Sequence, residues 1–308
     1  MRGQLDLVVL LVLLRLGDLQ ALAQNQTNEM DRLKEITAAA GRGDAYAQCE
    51  LGLAYCSGVG VAKDYAEALK WLRKSAEQGN PQAQYNLGVC YEKGEGVDRD
   101  AEEAVRWYRR AADLGYARAQ SNLGVCYFQG IGVEKDVAEA ARWYRRAADQ
   151  GYARAQRHLG VCYSMGAGVE RDVAEAARWN RKSAEQGDAG AQYNMGRAYY
   201  KGAGVKQDFS EAVVWFRRAA EQDHPAGKCN LGICYFNGEG VAEDDVQAYM
   251  WVSLAAAQGD EYSKKALASI EASISDTDKA EARRLGREYR PSRKLEEDEA
   301  AVEPARPR

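Results

Sequence analysis

Histidine and proline are scarce in this chain of 308 residues, which has only two histidines, His158 and His224, and five prolines. Two histidines leave few groups for general acid–base catalysis or metal binding near neutral pH. Few prolines together with 30 glycines argue against a proline-rich disordered chain and favour many short helices that end at glycine. The composition therefore points away from histidine-based catalysis and towards a helical protein.

Catalytic and nucleotide-binding motifs are also absent from the sequence. It contains no G-x-S-x-G, no H-E-x-x-H, no P-loop and no S-x-x-K with its partner motifs. The net charge is −4, which gives no strong global attraction to nucleic acid. We therefore predict a protein with no enzymatic activity, no metal, no cofactor and no nucleic-acid partner.

What the sequence has instead is a repeat of 36 residues. All six tryptophans stand 36 positions apart, at Trp71, Trp107, Trp143, Trp179, Trp215 and Trp251. A glycine recurs with the same spacing at Gly52, Gly88, Gly124, Gly160, Gly196 and Gly232, and a tyrosine at Tyr55, Tyr91, Tyr127, Tyr163, Tyr199 and Tyr235. A period of this length indicates a solenoid of stacked units.

Each unit has the pattern of a helix, a glycine loop and a second helix. In the second unit, Asn80 is a suitable N-cap and Pro81 suits the first helical position, where its missing N–H is not needed. The first helix should reach Lys93 and end at Gly94 in a left-handed conformation. The second should begin after Asp100, and we expect it to end at Gly115.

Two features of that second helix predict how the units pack. Asp100 and Glu103 have the spacing of a capping box with aspartate at the cap. Gly88, inside the first helix, should allow the second helix to come close, with Ala104 or Ala111 as the small partner. The tryptophan should fill the gap between units, so Trp143→Ala should cost about 3–5 kcal/mol.

The first 23 residues have the pattern of a secretory signal peptide. Arg2 supplies a positive start, residues 7–14 are apolar, and Ala21 and Ala23 form a small-x-small cleavage site. The apolar run is too short to span a bilayer, so we expect no integral membrane segment once the signal is removed. The alternative is a disordered N-terminal extension, which would leave the protein in the cytoplasm.

The rest of the chain divides into four segments. Residues 24–44 should form an N-terminal cap with a partial repeat, and residues 45–260 six full repeats. Residues 261–290 should form capping helices with a polar face, as terminal repeats need for solubility. Residues 291–308 are rich in charge and are expected to be a disordered tail.

The repeat resembles the Sel1-like repeat family, a relative of the tetratricopeptide repeat, from about residue 39 to residue 260. In the second unit the matching residues are Ala83, Leu87, Gly88, Tyr91, Gly94, Gly96, Val97, Asp100, Ala104, Trp107, Ala111, Ala112 and Gly115. The resemblance implies an all-α, right-handed α/α superhelical solenoid that acts as an adaptor for proteins or peptides. Two departures are Met195 in place of leucine and Asp223 in place of the closing glycine.

The cysteines are predicted to be structural thiols. Four of them share one register position, Cys90, Cys126, Cys162 and Cys234, which alanine occupies in the other units. A position that accepts both residues is a small buried apolar one. A secreted, cysteine-rich branch of the Sel1-like family has disulfides within each repeat, but the second cysteine that these need is absent here. We therefore predict no disulfides, although free thiols are unusual in an exported protein.

Arginines recur along the second helices and have two interpretations. They could bind nucleic acid, or they could form i,i+3 pairs with glutamates on an exposed face, as at Glu103 and Arg106. The overall charge balance favours the second interpretation.

Candidate binding residues are those that the repeat does not fix on the first helices. One register position holds Tyr85, Ser121, Arg157 and Tyr193, and the next holds Asn86, Asn122, His158, Asn194 and Asn230. The asparagines could form a ladder on the concave face that bonds the backbone of an extended peptide. Alternatively, each could satisfy a neighbouring loop carbonyl.

Three functions remain open at this stage. The first is a non-enzymatic adaptor, exported to the periplasm, the medium or the endoplasmic reticulum lumen, that binds a protein or peptide. The second is a secreted hydrolase of the β-lactamase or penicillin-binding type, which the cysteine-rich branch of the family suggests. The third is a purely structural spacer.

Overall fold

The computed structural model describes residues 30–291, and every regular element in that range is an α-helix. The first helix, α1, is described over residues 30–41. The helices that follow are α2 (Ala45–Ser57), α3 (Tyr65–Glu77), α4 (Pro81–Lys93), α5 (Ala101–Asp113), α6 (Ala117–Gln129), α7 (Val137–Asp149), α8 (Ala153–Met165), α9 (Val173–Glu185), α10 (Ala189–Lys201), α11 (Phe209–Glu221), α12 (Pro225–Asn237), α13 (Asp245–Ala256), α14 (Glu261–Glu271) and α15 (Asp276–Glu288). The predicted signal peptide and nearly all of the predicted charged tail lie outside the described residues.

The helices belong to two compact units. Unit 1 extends to Lys135 and contains α1–α6, and unit 2 begins at Asp136 and contains α7–α15. From α2 to α6, and again from α7 to α14, each helix packs against the next one in the chain. In unit 2, α13 also packs against α15.

The first helix of the second repeat begins and ends as the sequence predicts. Asn80 accepts a hydrogen bond from the Ala83 N–H at 3.0 Å, and Pro81 occupies the first turn of α4. Gly94 ends the helix with φ +77°, a conformation that costs glycine least. The predicted boundaries of this helix are therefore confirmed.

The predicted capping box is only half present. The Asp100 carboxylate accepts a hydrogen bond from the Glu103 N–H at 2.9 Å, as expected. The Glu103 carboxylate, however, binds Arg106 at 2.7 Å and does not return to the cap. The Asp100 N–H, which a capping box would offer to Glu103, already donates to the Tyr91 carbonyl at 3.0 Å, so the glutamate is left to pair with the arginine one turn later.

Gly88 lies where two helices approach closely, but its main partner is not the one expected. A Cβ at this position would lie 2.7 Å from the Tyr108 ring and 3.2 Å from the Ala104 carbonyl oxygen. Ala104 is therefore a partner through its backbone, whereas Ala111 is not among the nearest atoms. The space that the missing side chain leaves is filled by a large residue of the facing helix rather than by a small one.

Trp215 fills the space between two successive helix pairs, as predicted for the repeated tryptophan. Trp215 on α11 is 5% exposed and packs against Ala184 at the end of α9 and Ala191 and Met195 on α10. Trp143 is also buried, at 6% exposed. The predicted cost of Trp143→Ala stays a prediction.

A buried glutamine, which the sequence reasoning missed, ties each first helix to the preceding second helix. The Gln84 side chain of α4 donates to the Ala76 carbonyl near the end of α3 at 3.1 Å. The same bond recurs at Gln48, Gln120, Gln156 and Gln192. Each one gives a second hydrogen bond to a carbonyl near the end of a helix, which already accepts the N–H of the closing glycine.

The sixth repeat replaces this glutamine with a buried lysine. This change fits the replacement of the closing glycine of the fifth repeat by Asp223. Lys228 is 2% exposed and is paired with Asp223, the residue that stands in place of the closing glycine, with φ +68°. The Lys228 Nζ also lies 5.6 Å from the centre of the Tyr289 ring. The Tyr289 hydroxyl donates to the Ala220 carbonyl at 3.0 Å, which fixes the end of α15 against α11.

Candidate functional site

The arginines of the second helices are used within the fold in three ways. The first is the predicted i,i+3 pairing with glutamate, at N–O distances of 2.7–3.3 Å for Arg106, Arg142 and Arg178. This part of the prediction is confirmed. Exposed pairs of this kind contribute little to stability, and they leave these cations already matched by a carboxylate.

The other two uses were missed by the sequence reasoning. Five arginines donate to the hydroxyl of the tyrosine 18 positions later: Arg73, Arg109, Arg145, Arg181 and Arg217. A third set lies over tryptophan on the same helix, as Arg110 does over Trp107 at 4.4 Å from the ring centre. The constant spacing of arginine and tyrosine in every repeat was a signal that could have revealed the first of these contacts.

In unit 1 the varying register position does not present one kind of surface. The Tyr85 ring lies 5.7 Å from that of Tyr108 and 5.4 Å from that of Tyr116, so three tyrosines cluster there. Ser121 is fully buried and is not available at the surface. The residues that share this position therefore differ in exposure as well as in type.

The neighbouring position in unit 1 is occupied by asparagines that bond within the fold. Asn86 donates to the Gln82 carbonyl of its own helix at 2.8 Å. Asn122 shares a hydrogen bond with the Tyr108 hydroxyl, whose pKa is raised by burial and by the nearby Glu92 carboxylate. Neither bond goes to a loop carbonyl, so that alternative is wrong at these two positions.

In unit 2 the hydrogen-bond partner of the asparagine at this position depends on the residue that faces it on the preceding second helix. Asn194 donates to the Asn180 side chain at 3.0 Å, whereas Asn230 donates to the Ala226 carbonyl of its own helix at 2.8 Å. Where the preceding second helix offers a polar group, as Asn180 does, the asparagine bonds across the helices. Where it offers an apolar residue such as Phe216, the asparagine bonds to its own backbone.

His158 takes this position in the fourth repeat. Its ring stacks on Tyr144 with the ring centres 4.9 Å apart, and its Nε2 is buried without a hydrogen-bond partner. Burial, together with the nearby Arg157 and Arg154, lowers the pKa of His158 to about 3. The ring is therefore neutral in the folded protein at any ordinary pH.

A polar and aromatic cluster surrounds the predicted residues Arg157 and Tyr193. The Arg157 side chain forms an ion pair with Asp188 at 3.0 Å. The Tyr193 ring stacks on His224 at 5.0 Å, and the Arg197 guanidinium lies 5.7 Å from the Tyr193 ring centre. Burial and the nearby Arg157 lower the pKa of His224, whose Nδ1 accepts the Gly227 N–H and caps α12.

The helices α8, α10 and α12 contain no aspartate or glutamate. Arg154, Arg197 and Lys201 are exposed on α8 and α10 and form no ion pair with any residue between 30 and 291. Tyr262 on α14 is 60% exposed, and its pKa is raised by partial burial and by the nearby Cys229 and Tyr193. We call the exposed side chains of Arg154, Arg197, Lys201 and Tyr262, together with the half-buried Tyr193, the helix-A surface.

Cys90, Cys126, Cys162 and Cys234, the four that share one register position, are buried as the sequence predicts, and all seven thiols are free. Burial raises the pKa of Cys162 to about 11 and that of Cys234 to about 12. Cys56 is half-buried, and a hydrogen bond with the Cys90 thiol lowers its pKa. This contact between two first helices was missed, because only cysteines on one helix or in equivalent positions were compared.

No group of three or more histidine, cysteine, aspartate or glutamate side chains within residues 30–291 is placed to hold a metal ion. In the same range, no helix has the length and apolarity that crossing a membrane requires.

Comparisons with known proteins agree with this architecture. The family model for the Sel1 repeat matches residues 45–80, 81–116, 117–152, 153–188, 189–224 and 225–260. A protective antigen of uropathogenic Escherichia coli with an SLR fold is 37% identical, with a TM-score of 0.72 over 83% of this chain and 56% of the antigen. This chain therefore spans little more than half the length of that protein.

A Sel1 repeat protein from Oxalobacter formigenes is similar as well. It is 33% identical, with a TM-score of 0.69 over 75% of this chain and 93% of its own. No curated protein matches the chain. The repeat boundaries, the helix pairs and these two structures together confirm the resemblance that the sequence motifs indicated. The chain belongs to the Sel1 repeat family of helical solenoid proteins.

Proposed function

We propose that the protein is a non-catalytic adaptor that binds a segment of another protein on the helix-A surface of unit 2. The observation that carries the proposal is the contrast between two sets of cations. Those on the second helices are bonded to glutamate, tyrosine or tryptophan. Among the described residues, Arg154 and Lys201 on the first helices form no ion pair, hydrogen bond or ring contact, and Arg197 lies over the Tyr193 ring without a carboxylate partner.

The side chains of this surface are of the kinds that protein interfaces use. Tyrosine and arginine are enriched at interaction hot spots, because they combine a large contact area with directed hydrogen bonds. Tyr193 packs against the His224 and Phe216 rings, and the Arg197 guanidinium lies 5.7 Å from its ring centre. A partner would therefore meet a side chain that loses little conformational freedom on binding.

Among the sequence candidates, Arg157, Tyr193, Asn194 and His158 lie on the helices of this surface. Arg157 and His158 are already bonded or stacked inside the fold, and so is Asn194. We assign them the role of supporting the surface, and Tyr193 the role of contacting the partner.

A hydrolase is not favoured by any feature of the described residues. Burial raises the pKa of Cys49, Cys126 and Cys234 to about 12, which is the opposite of an activated nucleophile. The lowered pKa of Cys56 comes from a second thiol rather than from a base. A nitrocefin assay on the purified protein tests this class directly, and turnover that a single substitution abolishes would establish it.

We also propose that the protein acts after export, on the strength of the signal-like residues 1–23. Cell fractionation and N-terminal sequencing of the mature protein test this. A mature chain that begins at Gln24 is the expected result, and an intact Met1 in the cytoplasm would contradict it.

Binding is tested by chemical cross-linking of the tagged full chain in its native host, followed by reconstitution with the purified partner. Arg197→Glu should weaken the reconstituted complex at least tenfold, because one buried or partly buried charge contact reversed in sign costs more than 1.4 kcal/mol. Arg142→Glu, an exposed cation on a second helix of the same unit, is the matched control and should leave affinity unchanged. Equal effects of the two substitutions would refute the assignment of the surface.

A further inference from the structure

We propose that the helix-A surface is occupied, in the absence of a partner, by the acidic segment Glu296–Glu299 of the same chain. This inference rests on the proposed function and deepens it, because it assigns the surface an acidic ligand and a competitor that a partner must displace. Two observations carry it: the charge of the surface and the place where the described residues end.

The surface has a strong excess of one charge. Helices α8, α10 and α12 together hold Arg154, Arg157, Arg197, Lys201 and the buried Lys228, and no carboxylate. Only Arg157 and Lys228 are neutralised, by Asp188 and by Asp223 outside those helices. Three exposed cations on neighbouring helices therefore remain for an acidic ligand, in a protein whose net charge is −4.

The complementary charge lies shortly after the last described helix. Residues 296–299 read Glu-Glu-Asp-Glu, a run of four consecutive carboxylates that occurs nowhere else in the chain. Opposite charges of this number attract over the Debye length of about 8 Å at physiological ionic strength. Several such contacts made together can hold a short segment even though each single exposed pair is weak.

The end of α15 is anchored at the edge of this surface. Tyr289 bonds to the Ala220 carbonyl and lies 5.6 Å from the Lys228 Nζ. Lys228 pairs with Asp223, and the next residue in the chain, His224, stacks on Tyr193 at 5.0 Å. A short series of direct contacts thus leads from the last anchored residue to the aromatic centre of the surface.

The chain between the anchor and the acidic run is long enough to follow that series. The seven residues from Arg290 to Glu296 can extend to about 25 Å, at 3.3–3.6 Å for each residue. The contacts from Tyr289 through His224 and Tyr193 to Arg197 are each shorter than 6 Å. The proposal puts Glu296 at Arg197 and the following carboxylates at Lys201, one helical turn further on.

A tethered ligand competes through its effective concentration. For a short linker this concentration is on the order of 1 mM. If the free peptide binds with a Kd of about 100 µM, the tethered copy weakens binding of an added peptide about tenfold. The segment would thereby keep weak acidic ligands off the surface and admit a partner that makes additional contacts.

The test compares the full chain with a full-length variant in which the run is neutral, E296Q/E297Q/D298N/E299Q. A fluorescein-labelled synthetic peptide of residues 292–308 is titrated with each protein, and fluorescence anisotropy reports binding. The neutral variant should bind the peptide about tenfold more tightly than the full chain, and both affinities should fall as salt is raised. Adding Arg197→Glu and Lys201→Glu to the neutral variant should abolish binding, whereas adding Arg142→Glu should not.

Zero-length carbodiimide cross-linking of the unmodified full chain gives a second measurement. A cross-link between the acidic run and Lys201 is expected within the monomer fraction. A cross-link found only in a dimer fraction would overturn the proposal in favour of the segment of a second copy. Equal peptide affinity of the full chain and the neutral variant, or no binding by either, would overturn it as well.

Measurements with the reconstituted partner separate this inference from the proposed function. If the neutral variant and the full chain bind the reconstituted partner equally well and Arg197→Glu still weakens that complex, the surface binds a partner and the acidic segment does not occupy it. If Arg197→Glu has no effect on either ligand, the proposed function itself fails.

Discussion

Replacing Trp215 with alanine tests whether the repeated tryptophan holds successive helix pairs together. The side chain is 5% exposed and packs on Ala184, Ala191 and Met195. A buried tryptophan removes about 150–250 Å² from water, which at about 25 cal/mol per Å² is about 4–6 kcal/mol. Its Nε1–H is buried without a partner, so removing it recovers about 1 kcal/mol. The expected loss is therefore about 3–5 kcal/mol.

Urea and thermal unfolding, followed by circular dichroism, measure this loss. For a domain of 150–250 residues, 1 kcal/mol corresponds to about 2–4 °C in Tm, so Trp215→Ala should melt roughly 6–20 °C below the parent. Helical repeats can also open locally. Hydrogen exchange should therefore increase first in α9, α10 and α11, the helices that meet at Trp215.

Trp215→Phe is the matched control, because it keeps a ring in the gap and removes the unpaired N–H. It should cost less than about 1.5 kcal/mol, since most of the apolar contact remains. The reasoning would be refuted if Trp215→Ala melted within a degree of the parent, or if the alanine and phenylalanine variants lost the same stability.

Three further predictions follow from buried groups. Because His158 has a pKa of about 3 when folded and about 6.5 when unfolded, the unfolded chain binds more protons between these values. Stability should thus fall by about 2 kcal/mol more between pH 7.5 and pH 5 in the parent than in His158→Asn, as measured by urea unfolding. Cys56, whose pKa is lowered while burial raises those of the other thiols, should be the first cysteine that iodoacetamide alkylates at pH 7.5, as judged by mass spectrometry. Asp223→Gly should destabilise the fold by about 2–4 kcal/mol because it leaves Lys228 buried without a partner, and Lys228→Gln in the same chain should restore most of that loss in a double-mutant cycle.

The helix, glycine loop and second helix of each repeat could be predicted because the sequence signals for them are local. Asn80 and Asp100 cap their helices, and Gly94 ends the first one, as their side chains and backbone preferences require. The role of tryptophan was also predictable, since a large apolar residue with a strict period has no place on a helical repeat except between units. These features need only short-range chemistry and the spacing of 36.

The partners of polar side chains could not be predicted in the same way. The capping box was wrong in one half because the Asp100 N–H already donates to the Tyr91 carbonyl. The asparagines at positions 86 and 122 bond to different groups, since the facing residue differs from repeat to repeat. A sequence pattern gives the donors and acceptors, whereas the facing helix decides which of them meet.

The sequence by itself determined the family, the helix pairs and the buried position of the repeated cysteines, because a residue that recurs with a strict period occupies an equivalent place in every unit. Only the tertiary structure separated the cations that the fold uses from those that it leaves exposed. Arg181 donates to the Tyr199 hydroxyl, whereas Arg197 lies over Tyr193 on a helix without carboxylates. That difference depends on which helices face each other, and it is the physical basis for the proposal of a binding surface on unit 2.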